Sequence, residues 1–574
     1  MFDTVIRGGR VVDGTGQPEF VGDIGIKDGK IAAVGGKLGS STRIINADGA
    51  IVTPGWVDVH THYDGQATWD PYLSPSTNHG VTSVVMGNCG VGFAPVRADR
   101  RDWLISVMEG VEDIPGAVLS EGIQWSWESF PGYLDALEKR PFALDVGAQI
   151  PHAALRAFVM DERAITHDEA TPQDIRRMAD LVEEGIRAGA LGFSTTRTLI
   201  HKYAGRKYPP GTFASQDEVV GIAKAMGRAG HGVFQMTSNH HQMESEIPWL
   251  RKVAQENGLP VAFALVQTDN TPDTWVRLLD ALDDARRDGL PLYGAISGRP
   301  AGILMSWQGS THPFIGHPLW PELASLAWPE RLAQLRRPEI KARLTSMREL
   351  APSIENDSRM LYITQSFQKM FALGDIPEYE PAPETSVAAI ANSTGRSELD
   401  IVYDMLMEQE GEAMVYFPSF NYAYQNLDHL HKLLQHSNTM LSLADGGAHC
   451  HYICDVSMPT YMLTHWVRDR SRGDRLPLEY IVRRQSQDTA RVYGLNDRGV
   501  LAPGMKADIN VIDFDALQLK SPYMAFDLPT GGKRLKQEAD GYIATMVSGQ
   551  TIMENGQETG SLPGQLIRGP QHLS

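Results

Sequence analysis

The segment Val57-Asp58-Val59-His60-Thr61-His62 carries the pattern best suited to chemistry in this chain. On a strand, successive side chains alternate faces, so His60 and His62 point one way and Thr61 the other. Two neutral imidazoles close together on a rigid strand suit a borderline ion such as zinc. A bare His-x-His also occurs as ordinary polar residues at a strand end, so the reading depends on what else converges. Asp445, in Ala444-Asp445-Gly446-Gly447, follows an apolar run and precedes glycines that permit a sharp turn. A carboxylate there could bind a metal or take a proton from water, or it could simply cap the next segment. Cys89, in Gly87-Asn88-Cys89-Gly90, is also set between an apolar run and a turn. A thiolate is a strong zinc ligand, whereas packing is the commoner fate of a free cysteine.

These residues need elements to position them. Strand candidates run Val52–Val59, Val81–Met86, Leu144–Gln149, Ala190–Ser194, Val233–Thr237, Val261–Val266, Leu292–Ile296, Met360–Thr364, Met414–Phe417 and Thr439–Ala444. Helical periods separate many of them. Thr171-Pro172-Gln173-Asp174 offers an N-cap, a proline at the first helical position and an acid two residues on. Ile175, Met178, Ala179, Val182 and Ile186 then share a face. Ser215 to Glu218 reads as a second capping box. Alternating strands and helices predict a parallel sheet, closed or doubly wound. The candidates outnumber the eight strands of a barrel, and residues 297–352, rich in Trp, Pro and Gly, read as an insertion. Both chain ends are β-rich, with turns at Asp28-Gly29 and Asn555-Gly556, so the termini are expected to pair into one small β domain.

At 574 residues with 42% hydrophobic and 21% charged content, the chain reads as a soluble globular protein of more than one unit. A net charge of -18 argues against nucleic acid or an anionic membrane as partner. No transmembrane stretch or signal-peptide pattern is read from the sequence. Three cysteines argue against a disulfide framework, so a cytoplasmic setting is expected.

Pro54-Gly55-Trp56-Val57-Asp58-Val59-His60-Thr61-His62, Gly87-Asn88-Cys89-Gly90 and Ala444-Asp445-Gly446 together resemble the amidohydrolase superfamily. So do Gly189-Ala190-Leu191-Gly192-Phe193-Ser194, Gly499 to Asp508 and Val11-Val12-Asp13-Gly14. The Gly-Asn-Cys-Gly element resembles the N-acyl-D-amino-acid deacylase (D-aminoacylase) branch. The resemblance implies a TIM (β/α)8 barrel over residues 54–495, carrying insertions. It implies a β-sandwich assembled from residues 1–53 and 496–574. It makes His60, His62 and Asp445 ligands of one metal, Cys89 the thiolate ligand, and Asp445 the general acid/base. Homo-oligomers are common in the family.

The chain departs from that pattern where the branch carries histidines after the fifth and sixth strands. Thr237 occupies the first position, Leu265 or Val266 the second, and Gln267 replaces a substrate-binding lysine. One zinc per chain is therefore expected. Arg197, His201, His240 and His241 follow strand ends and could contribute at the mouth, and Arg299 could clamp a substrate carboxylate. For each, an ordinary solvated loop residue is the commoner case. His152 and His449 are candidates for supporting contacts, and Cys450 and Cys454 read as packing. The expected reaction is hydrolysis of a small-molecule amide, as in an N-acyl D-amino acid. The alternatives are a cyclic amide or lactone hydrolase, a metal-dependent decarboxylase, or a non-catalytic scaffold.

Overall fold

The computed structural model describes residues 1–346, 352–355, 357–442 and 444–573. Eight parallel strands form its centre: β1 (Trp56–Asp58), β2 (Val81–Met86), β3 (Asp145–Pro151), β4 (Gly192–Thr196), β5 (Val233–Thr237), β6 (Val261–Ala264), β7 (Leu292–Ile296) and β8 (Thr439–Leu441). Each pairs with its sequence neighbours from β1 through β8. Strands β2 to β6 are buried along their whole length, which is why they read as apolar runs instead of alternating patterns. The β1–β8 seam lacks a strand ladder and is joined just beyond the strand ends. There His62 N–H donates to Gly446 O (2.7 Å) and Asp445 N–H to His60 O (3.1 Å). The result is a nearly closed (β/α)8 barrel. The expected strand Thr439–Ala444 ends at Leu441, and Leu443 lies outside the described residues.

The helix Pro172–Arg187 crosses from β3 to β4 with the expected N-cap at Thr171, and Asp174 returns to the cap backbone to make it reciprocal. The helix Gln216–Ala229 differs from expectation. Ser215 Oγ accepts the Glu218 N–H, but the Glu218 carboxylate does not return to the cap. It turns inward to His152 Nε2 (2.8 Å) and Arg156 Nε (2.9 Å). A buried cationic partner outweighs a surface cap.

Between β7 and β8 the chain builds a larger insertion than residues 297–352. Strands Gly302–Met305, Val415–Pro418 and Phe371–Ala372 form a small sheet with Val415–Pro418 central. Around it lies a separate apolar core that includes Trp307, Phe314, Trp320 and Tyr403. Met414–Phe417 is thus a strand, but of the insertion. Met360–Thr364 is no strand: it falls within the helix Ser358–Gln365, whose first N–H groups are capped by Asp357 Oδ1 at 3.1 and 3.2 Å.

The run Val52–Val59 is also divided. Ile51–Pro54 joins the sheet of the chain ends and Trp56–Asp58 joins the barrel. Gly55 sits at the division, where a Cβ would lie 2.2 Å from Thr82 Oγ1. The terminal sheet has nine strands, eight in one hydrogen-bonded order and Ser41–Asn46 branching from Phe2–Val11, and Ile51–Pro54 lies beside Ile509–Ile512, so both chain ends share it. Its apolar side chains, among them Ile6, Ile24, Val52, Leu501 and Val511, form their own core. Among the described residues no helix is long and apolar enough to cross a membrane.

A buried ionic cluster ties this sheet to the floor of the barrel. Asp145 Oδ2 at the start of β3 accepts from Arg498 Nη1 (2.6 Å) and from Lys506, while its Oδ1 accepts the Gln565 N–H (2.9 Å). Removing one member of such a cluster leaves a buried charge uncompensated, which costs about 3–5 kcal/mol. Asp145→Ala is accordingly expected to lower the urea midpoint by that equivalent. An unchanged midpoint would show that the cluster does not hold the two units together.

Candidate metal centre

The strand ends bring His60, His62, Cys89 and Asp445 to one point at the C-terminal mouth of the barrel, where such folds build their sites. His60 and His62 extend β1, with ring centroids 5.5 Å apart. Cys89 follows β2 in a left-handed turn (φ 54°), and Asn88 fixes that turn through its amide, which donates to Val85 O (2.9 Å) and Thr61 O (3.2 Å). Asp445 follows β8, also at positive φ (50°). The next residue must be small, since a Cβ on Gly446 would meet Tyr63 Oη at 2.8 Å.

Asp445 Oδ1 lies 3.3 Å from His60 Nε2 and 3.6 Å from His62 Nε2. Cys89 Sγ lies 3.3 Å from His60 Nε2. A tetrahedral zinc with ligands at about 2.0–2.3 Å has edges of about 3.3–3.7 Å between donor atoms. The distances from Asp445 to the two histidines and from Cys89 to His60 fall in that range, and donor atoms of His60, His62 and Cys89 lie within 4.8 Å of one another. Both ring nitrogens of His62 are buried without a hydrogen-bond partner, an arrangement that a metal on Nε2 would resolve.

The electrostatics agree. Burial works against ionisation of Asp445, yet the close approach of His62 and the charges of His60 and His449 hold it below the usual carboxylate range. Burial lowers His60 to about 4. It also opposes charge on His62, but Glu112, Cys89 and Asp445 keep that ring well above the ordinary imidazole range. Burial pushes the Cys89 thiol up to about 11 and Glu112 up to about 7. Among the described residues neither Asp445 nor Glu112 pairs with a lysine or arginine; their partners are histidines. The pocket concentrates acidic and soft donors that a divalent cation would satisfy.

Thr237 stands where sequence comparison places it, at the end of β5, with its hydroxyl donating to Cys89 Sγ (3.2 Å). His201 enters the mouth: one of its ring nitrogens, Cys89 Sγ and a Glu112 oxygen all lie within 4.8 Å of one another. His449 joins too, its Nε2 3.7 Å from Glu112 Oε2. His240 packs edge-on against Phe420, and His241 lies 3.4 Å from Thr268 Oγ1.

Three expected substrate contacts are engaged elsewhere. Arg299 is buried, stacked on Tyr379 (3.7 Å), and bonded to Asp455 and Cys454 O. Arg197 donates to Thr212 O and Ala214 O and lies over Trp249. Gln267 anchors the chain around Ala423 and Pro272. His152 is fixed between Thr195 and Glu218, and Cys450 and Cys454 are free and buried.

Glu112 was missed by sequence reasoning. It ends the helix Arg101–Glu112 on the same face as Leu104, Ile105, Met108 and Val111, and an acid on an apolar face was the available signal. It is 1% exposed, with Oε1 3.4 Å from His62 Nδ1. Arg359, on the insertion helix Ser358–Gln365, was missed as well. It is exposed, and its charge disfavours protonation of His201 and His449.

A barrel of this topology with histidines, a thiol and an aspartate at its mouth defines a metal-dependent hydrolase class. An amidohydrolase family model matches residues 43–553, and the chain belongs to that family. It is 25% identical to the D-aminoacylase of Alcaligenes xylosoxydans xylosoxydans, over 99% of this chain and 97% of that protein. It is 26% identical to that organism's N-acyl-D-glutamate deacylase, over 92% and 91%. Its fold is similar to that of the N-acyl-D-glutamate deacylase of Bordetella bronchiseptica, solved with zinc and a phosphonate inhibitor (TM-score 0.63, 24% identity, 99% of both chains).

Carboxylates that orient a metal-bound histidine typically contribute 10–100-fold to metal affinity. Glu112→Gln is therefore expected to weaken zinc binding by about that factor in chelator competition, with the far-UV spectrum preserved. Wild-type affinity would show that the contact with His62 Nδ1 is incidental.

Proposed function

We propose that the protein is a zinc-dependent amidohydrolase that cleaves the amide bond of an N-acyl D-amino acid, with one tightly held ion per chain. The convergence of His60, His62, Cys89 and Asp445 at the barrel mouth carries this reading, and the deacylases related to it over nearly its whole length support the substrate class. Those four residues would hold the ion. When bound, a zinc ion polarises a carbonyl and brings the pKa of water at the site to about 7.

Asp445 is both ligand and proton carrier in this account. Its Oδ1 faces the two imidazoles, and 22% of its side chain remains open towards substrate. Held ionised, it accepts the proton of the attacking water and returns it to the leaving nitrogen. Glu112, whose Oε1 lies 3.4 Å from His62 Nδ1, favours by its charge a proton on Nδ1 and so leaves Nε2 for the ion. Arg359 replaces the missing lysine and the engaged Arg299 as the cation for the substrate carboxylate. The three unbridged cysteines support a reducing, cytoplasmic setting.

A panel of N-acyl D- and L-amino acids, their carboxamides, cyclic amides and lactones tests the assignment. Turnover is expected with the N-acyl D-amino acids and is expected to fall when the free carboxylate is amidated. Turnover confined to cyclic amides or lactones would overturn the substrate class. Asp445→Asn retains the shape but cannot carry the proton, so kcat should fall by about 10²–10⁴-fold. Near wild-type turnover would remove Asp445 from the chemistry.

A further inference from the structure

The flank of the mouth beside β5 and β6 lacks the histidines expected there, since Thr237 stands at the first position and Leu265 or Val266 at the second. It does not lack donors. A Glu112 oxygen, a His201 ring nitrogen and Cys89 Sγ lie within 4.8 Å of one another. These donors come from elsewhere in the barrel: Glu112 from the helix after β2, His201 from the irregular segment after β4. Glu112 Oε1 and His201 Nδ1 are both buried without a hydrogen-bond partner. Buried polar atoms of that kind call for an explanation, and an ion is one of the standard ones.

We propose that Cys89, Glu112 and His201 form a second divalent-cation position, which shares the Cys89 sulfur with the position at His60, His62 and Asp445. Thiolate, imidazole and carboxylate together select ions of the zinc, cobalt and cadmium type over magnesium or calcium. With three protein donors against the four of the first position, this position is expected to bind more weakly. His201 lies in coil between β4 and the short turn Ala204–Arg206. The second position is therefore rebuilt from new residues instead of being lost with the two histidines.

The proposal rests on the reading of the first centre through their shared residue, Cys89. Full-length protein loaded with one equivalent of zinc is titrated with cobalt(II) to millimolar concentration. Equilibrium dialysis with elemental analysis gives stoichiometry, and thiolate-to-cobalt charge-transfer absorption reports sulfur ligation. Wild type should take a second equivalent with that absorption. His201→Gln and Glu112→Gln should each weaken the second equivalent at least tenfold, with His201→Gln keeping the first. A wild type that stops at one equivalent, or a His201→Gln variant that takes two as tightly as wild type, overturns the second position alone. A wild type that holds no first equivalent overturns the reading of the first centre, and the shared-sulfur site with it.

Discussion

The barrel seam and the candidate metal centre are made by the same residues. β1 is three residues long and never forms a ladder with β8; the two are held by main-chain bonds from His62 to Gly446 and from Asp445 to His60. Closing the barrel therefore places the carboxylate of Asp445 against the imidazoles of His60 and His62 without a flexible loop between them. The positive backbone angle at Asp445 and the small Gly446 follow from that closure. Precision of this kind is what a metal site requires, since ligands must be held within fractions of an ångström.

The charge of the pocket depends on the same closure. Two acids, a thiol and several imidazoles share a space in which none of the described lysines or arginines pairs with the acids. Two of the arginines singled out from the sequence are committed to other work: Arg197 to backbone carbonyls, Arg299 to Asp455 and Tyr379. Leaving the acids without a fixed cation costs stability in the metal-free protein. A divalent ion bound there would relieve that cost, so function can be written into an unfavourable arrangement of charges.

The parts legible in the sequence were those governed by local rules. The His60–His62 pair could be singled out by its spacing, although the strand itself ends at Asp58, and Thr171 with Asp174 could be read from capping chemistry. The pairing of the chain ends followed from their shared β texture. What escaped depends on tertiary contacts. Glu112 reaches the centre only because its helix docks over the mouth. Glu218 left its expected cap for His152 and Arg156. Arg299, Arg197 and Gln267 looked available because a sequence does not show which loop cations and amides find internal partners. The apolar stretch around Leu361 and Ile363 fitted a strand by period until Asp357 supplied a helix start.

The central claim is that the His-x-His pair, Cys89 and Asp445 bind one ion together. X-ray absorption at the zinc edge of protein loaded with one equivalent tests it most directly, because sulfur and nitrogen or oxygen scatter at separable distances. The account predicts one sulfur at about 2.3 Å and nitrogen or oxygen ligands at about 2.0–2.1 Å, with the sulfur shell abolished in Cys89→Ser. A first shell of nitrogen and oxygen alone in the wild-type protein would contradict it.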